Sequence, residues 1–140
     1  MDEQAITTYI TTTFAAVKVV WAAGDGFFSY APVDGPARLG WQPFATLLTG
    51  DRSDQASDLE RSGVYRLNIG ISRASYAELF GPPPHGVGAP LPYDFRALDV
   101  LMPHPVYATL AWVCVLNPSA ATFEQVKPLL SEAYTLASKR

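Results

Sequence analysis

In "DEQAITTYITTTFAAV" the positions Ile6, Tyr9, Ile10, Thr13, Phe14 and Val17 recur at three- and four-residue steps. That spacing places them on one face and predicts an amphipathic helix, with Asp2 and Glu3 at the positive end of its dipole. Threonine is a mediocre helix former, so packing has to hold this segment. The period then shortens. In "VKVVWAAGDGFFSYAP" two β-prone stretches flank Gly24-Asp25-Gly26, and Asp-Gly between apolar runs predicts a hairpin. A Pro/Gly-rich loop from Pro32 to Gln42 leads to strand-like "PFATLLTG". Beyond the polar stretch "DRSDQASDLERSG", "VYRLNIGI" alternates most cleanly: Tyr65, Leu67, Ile69 and Ile71 point one way, Arg66 and Asn68 the other. One face of that strand is expected to be buried and the other left polar.

Ser72 can cap the short helix "RASYAELF", which Gly81 and three prolines end. "GPPPHGVGAPLPYD" has no period and reads as a surface loop. "DFRALDVLM" is expected to form another short helix, capped by Asp94. "ATLAWVCVL" is apolar on both faces, which fits a central or covered strand. Val126, Leu129, Leu130, Ala133, Tyr134 and Ala137 trace the stripe of a closing helix, with Thr122 and Gln125 at capping-box spacing. Hairpin-linked strands followed by segregated helices predict an α+β fold. It is read as one domain over residues 1–140, with an antiparallel sheet of about five strands packed on the N- and C-terminal helices.

Composition narrows the function classes. The chain has 140 residues, 49% hydrophobic and 16% charged, enough for one well-buried core. Its net charge of −3 argues against nucleic-acid binding, whose affinity comes largely from Lys and Arg. No apolar run approaches the roughly 20 residues of a membrane helix. "MDEQAITTYI" lacks the basic and apolar regions of a signal peptide. A cytoplasmic location is expected. Cys114 stands alone, which leaves no internal disulfide and no cysteine-based zinc site.

Candidate chemistry begins with "LMPHPVYATLAWVCVLNPS", where Pro103 and Pro105 fence His104. The prolines restrict the backbone and so nearly fix the ring's direction. The first reading of His104 is a turn peg, with one ring nitrogen bonding a loop carbonyl; the second is a ligand contact, and acid–base catalysis is a weak candidate behind both. His85 reads as a solvated loop residue, and no H-x-x-H or H-E-x-x-H spacing suggests a metal. Cys114, mid-strand among apolar neighbours, reads as inert core. Asp51, Asp54, Asp58 and Glu60 lack EF-hand spacing and read as a solvated loop. Arg66 and Asn68 are better ligand-binding candidates, because a regular strand presents them at a two-residue repeat. The competing reading is a polar sheet surface, or Arg66 paired to a loop acid. Trp41, Tyr93, Tyr107 and Trp112 could wall a pocket over that face.

Several stretches resemble a known family. "RLNIGISRASYAELFG" resembles the strand-then-helix segment of the MmcQ/YjbR-like family, and "LMPHPVYATLAWVCVL" its segment leading into a later strand. "FEQVKPLLSEAYTLA" is similar to its closing helix. A closer likeness runs to a set of small actinobacterial-type proteins without an assigned activity, which share "FATLLT", "RLNIG", "LFGPPP", "MPHPVYA" and "WVCVLNPS". The resemblance implies a compact CyaY-like, double-wing α+β fold and, for the broader family, a suggested DNA-binding role. Here Gly70 stands where that family's strand carries lysine, and Pro103-His104-Pro105 replaces its basic residues. Both departures remove positive charge.

Three functions follow as expectations. The leading one is a non-enzymatic module in which Arg66, Asn68, His104 and Tyr107 bind a small molecule or a protein partner. The alternative is a small enzyme using His104 as acid or base and Arg66 as anion stabiliser. Double-wing DNA binding comes third. No cofactor motif, metal spacing or nucleophile–base pair is legible in the sequence.

Overall fold

The computed structural model describes residues 1–32, 42–85 and 91–140. Most of the loop expected from Pro32 to Gln42, including Trp41, and residues 86–90 of the Pro-rich loop lie outside them. The chain runs α1 (Glu3–Thr13), β1 (Val17–Ala22), β2 (Asp25–Tyr30), β3 (Ala45–Leu48), β4 (Arg66–Gly70) and α2 (Arg73–Phe80). It continues through β5 (Met102–Pro103), a single 3-10 turn (Ala108–Leu110), β6 (Trp112–Leu116) and α3 (Ala120–Ser138). The strands form one sheet in the order β1-β2-β3-β4-β6-β5, with every neighbouring pair antiparallel. The fold is the α+β domain expected, with six strands where about five were expected; the short edge strand β5 accounts for the difference. No helix among the described residues is long and apolar enough to cross a membrane.

α1 begins where Asp2 accepts a hydrogen bond from the Ala5 amide at 2.8 Å. Its threonines are accommodated by bonding back along the helix: Thr7 to the Glu3 carbonyl, Thr11 to that of Thr7 and Thr12 to that of Thr8. Ile6 and Ile10 of α1 and Phe123, Val126 and Leu130 of α3 pack on one sheet face. That face presents Leu47, Leu67, Ile69, Val113 and Val115. Ser72 caps α2 as expected, accepting from the Ser75 amide, and Glu132 of α3 takes both the Ser72 amide (2.7 Å) and the Ser75 hydroxyl (2.6 Å).

Three local expectations are corrected. The hairpin turn is Ala23-Gly24, both at positive φ as a two-residue hairpin of this hand requires, and Asp25-Gly26 lies within β2. The Asp25 carboxylate is instead drawn inward, accepting from the Thr49 amide (2.8 Å) and Arg52 Nη2 (3.0 Å). "DFRALDVLM" forms turns and no helix. Asp94 accepts from the Arg96 amide two residues on, and Asp99 sits at φ 61 with its amide bonded to the Leu116 carbonyl. α3 starts three residues earlier than the Thr122–Gln125 spacing suggested, capped by Ser119, which accepts from the Thr122 amide.

The largest correction concerns the second face of the sheet. It is polar, as the alternation of β4 requires, but not open. Arg66 is 0% and Asn68 1% exposed. Part of this face is a small second core of Leu48, Leu59, Met102, Cys114 and Leu116. Leu59, Asp54 and Ser57 come from the stretch after β3, which folds back over the face.

Gly70 explains one departure from the resembling family. A Cβ there would lie 2.7 Å from the Trp112 ring, its cross-strand partner on β6. The indole occupies the space that a side chain at position 70 would need. Gly70→Ala is expected to displace that ring and to lower stability by about 1–3 kcal/mol through overpacking. Urea denaturation, together with the shift of the Trp112 indole NMR signal, checks this.

Candidate functional site

Two rows of cross-strand neighbours build the second face. Phe27, Thr46, Asn68, Cys114 and Met102 lie side by side across β2, β3, β4, β6 and β5. In the next row Gly70 pairs with Trp112, and the His104 amide bonds the Trp112 carbonyl at 3.0 Å, prolonging the β5–β6 ladder by one residue. The expected site residues Asn68 and His104 are therefore brought onto one face by register alone.

Arg66 organises the polar part. Its Nη1 and Nη2 donate to the two carboxylate oxygens of Asp54 at 3.0 and 2.6 Å. Nη1 also donates to Ser57 Oγ (2.8 Å), and Nε donates to Asn68 Oδ1 (2.8 Å). Asn68 Nδ2 in turn donates to Thr46 Oγ1 at 2.9 Å. Guanidinium groups only donate, so this contact fixes the Asn68 amide with its oxygen toward Arg66 and its NH2 toward Thr46. Burial works against the charge on Asp54, but the bonds and charge of Arg66 more than offset it and hold the carboxyl below its usual range. Asp54 is thus a structural partner: the competing reading of Arg66 paired to a loop acid holds, and the solvated-loop reading of Asp54 does not. Arg66 is closed off from any ligand.

His104 is the turn peg in kind, with different partners from those expected. Its ring is 3% exposed, and Nδ1 accepts from the backbone amides of Val106 (3.0 Å) and Tyr107 (2.9 Å) rather than donating to a carbonyl. The imidazole thus supplies the acceptor for the two amides that follow Pro105 and turns the chain toward the 3-10 turn. An Nδ1 that accepts two amides carries no proton, which places the proton on Nε2. Burial, with a smaller push from the Arg66 charge and an opposing pull from Asp54, holds the imidazole down at about 3. Among the described residues Nε2 has no hydrogen-bond partner, while no fully buried side-chain N or O is left unpartnered. Nε2–H therefore opens on the adjoining space.

That space is a cavity of about 390 Å³ between the sheet and the 105–110 turn. Thr46, Asp54, Asn68 and His104 supply its inner polar wall; Phe27, Leu48, Val106, Tyr107, Leu110 and Trp112 supply the apolar one. Tyr107 lies over the His104 ring, with centroids 5.0 Å apart, and Trp112 meets it edge-on. Tyr107 and Leu110 are more than half exposed. Of the four aromatics expected to wall a pocket, Tyr107 and Trp112 do so. Tyr93 packs with Phe80 and Phe95, and Trp41 lies outside the described residues.

The remaining candidates sit apart from this chemistry. Cys114 is buried, its thiol pushed up to about 12 by burial, and its Sγ lies 3.6 Å from the Pro103 carbonyl. His85 is exposed. Asp51 and Glu60 bond loop amides, at Leu59 and Asp51 respectively, while Asp58 faces Arg61 and Arg96. Among the described residues no three His, Cys, Asp or Glu side chains are placed to hold a metal ion. Thr46 was not singled out from the sequence, although alternation in "FATLLT" places it opposite Ala45 and Leu47.

An α+β domain with a buried arginine–carboxylate ladder under a small cavity is the class that fold and site define. The chain belongs to the DUF6194 family, a family of unknown function whose profile matches residues 1–140. No curated protein and no solved structure matches it.

Proposed function

We propose that this chain is a non-enzymatic module that binds a small molecule in the cavity on the second face of the sheet. The observation that carries the reading is the cavity itself. It has the size of a small-molecule site, an apolar wall, and polar groups held in place by a buried hydrogen-bond ladder. Asn68, His104 and Tyr107 are binding residues in this reading; Arg66 positions Asn68 and does not touch the ligand.

The same geometry weighs against the enzyme alternative. The lone pair of His104 Nδ1 is occupied by two amides, so the ring offers the cavity a proton donor and no base. Arg66, bonded to Asp54, Ser57 and Asn68, has no fork left for an anion. The net charge of −3 favours a small ligand over DNA. Kinship to the MmcQ/YjbR-like family and a cytoplasmic location belong to this proposal too.

A ligand-observed NMR screen of small aromatic and heterocyclic molecules tests it. Binders that shift the Asn68 and Trp112 resonances are expected. Tyr107→Ala should weaken them about tenfold, the loss of one aromatic wall. The backbone bond from position 107 to His104 survives that change, so stability should hold. Absence of binders, or binders indifferent to Tyr107→Ala, refutes the reading.

A further inference from the structure

The chemistry of the ligand can be taken further, on the footing that the cavity is a binding site. We infer that it selects an uncharged flat ring carrying a hydrogen-bond-accepting oxygen, such as a ketone or amide carbonyl, over carboxylates and ammonium groups.

Each uncharged inner polar group offers the cavity a donor, because acceptor capacity of that group is already engaged within the protein. His104 Nδ1 takes the Val106 and Tyr107 amides, leaving Nε2–H. Asn68 Oδ1 takes Arg66 Nε, leaving the second hydrogen of Nδ2. Thr46 Oγ1 takes the first hydrogen of that NH2, leaving its own hydroxyl proton. Gln42 and Ser53, the other uncharged polar residues of the lining, are exposed. An ammonium group would meet these donors where it needs acceptors, and the one carboxylate of the lining, Asp54, already has both oxygens bonded by Arg66.

An anion fails for a different reason. Asp54 is the one charged residue among the described lining, and the cation beside it is turned to Asp54, Ser57 and Asn68. A carboxylate in the cavity would meet a carboxylate with no open cation to offset it, and would lose its own hydration. A carbonyl loses far less on entering and gains bonds to oriented donors. The rings of Phe27, Tyr107 and Trp112 suit a flat partner, and about 390 Å³ suits one or two fused rings.

The test is NMR titration of the full chain with four probes that share a benzene ring: acetophenone, benzoate, benzylammonium and toluene. Acetophenone is expected to bind at least roughly tenfold more tightly than either ion, shifting Asn68 and Trp112. Thr46→Val should weaken acetophenone roughly 2- to 10-fold and leave toluene unchanged. If Thr46→Val does not fold, His104→Asn is the second variant: its side-chain oxygen can replace Nδ1 as acceptor, while the Nε2 donor is gone. The same weakening is expected. Benzoate or benzylammonium binding as well as acetophenone overturns the inference while the cavity stands as a site. So does toluene binding equally well with neither variant mattering. If none of the four probes shifts the cavity residues, both the inference and the site reading fall.

Discussion

Replacing Arg66 by alanine is expected to cost about 3–5 kcal/mol, a large share of the roughly 5–15 kcal/mol that holds an ordinary domain folded. The guanidinium is fully buried and is the sole described side chain that bonds Asp54, Ser57 and Asn68 together. Its removal leaves a carboxylate in a poorly hydrated site without its cation, and Asn68 without the donor that orients it. The cost comes from stranding the partners more than from losing attraction, and a second substitution separates the two. Arg66→Met combined with Asp54→Leu removes both charges and restores apolar volume. The double variant should be at least about 1 kcal/mol more stable than Arg66→Ala, although it lacks more of the native polar groups. Urea denaturation of the single and double variants measures this. A double variant as unstable as the sum of its parts would show that the pair is not coupled.

The second large effect is a loss of stability in mild acid, with His104 as its source. An imidazole in the unfolded chain titrates near 6.5, and in the folded chain at about 3. Between those values the unfolded chain takes up a proton that the folded chain refuses, so stability falls as the pH drops. At pH 7 and above the contribution is whole. From pH 6.5 to 4.5 the loss should be about 2–3 kcal/mol, following from about 1.4 kcal/mol per pH unit. Asp54, held below its usual range, adds a loss of the same sign at lower pH, as it takes up its own proton. Glu132 and Asp99, also held low, add losses of the same sign near and below pH 4.5, so the imidazole dominates the window above it. His104→Asn, which keeps an acceptor for the two amides and cannot titrate, should flatten the profile there. A wild-type slope that persists in the variant would assign the proton to another group. His104→Ala, which strands both amides, should cost about 1–3 kcal/mol at pH 7.

Features that a few neighbouring residues decide were legible in the sequence. The stripe of α1, the alternation of β4 and the cap at Ser72 depend on periods of two to four residues and on one side chain bonding a nearby amide. Alternation correctly put Arg66 and Leu67 on opposite faces. It could not say what covers the Arg66 face, because the partner that closes it, Asp54, lies in a polar stretch indistinguishable from a solvated loop. The hairpin failed by a shift along the chain for a similar reason: Asp25 is claimed by Thr49 and Arg52 across the sheet, so the turn falls on Ala23-Gly24. The helix expected at "DFRALDVLM" lost to a tether at Asp99, whose amide bonds Leu116 and whose carboxylate bonds the Ser119 amide. His104 is a turn peg, as expected, held by the amides of Val106 and Tyr107. Its protonation was not legible, since that depends on which atoms of the turn reach Nδ1.

The two margins of the sheet are unequal, and this limits how the protein can associate. β5 is two residues long, and Pro103 and Pro105 beside it contribute no N–H groups, so that rim is a poor template for another strand. Among the described residues no strand pairs with the outer side of β1, which carries the exposed Val20 and Trp21. Among the described strands, growth by strand addition is thus confined to the β1 rim. Two copies joined antiparallel through β1 would leave only the proline-guarded rims outward, and such a pair has no remaining edge from which a fibre could propagate.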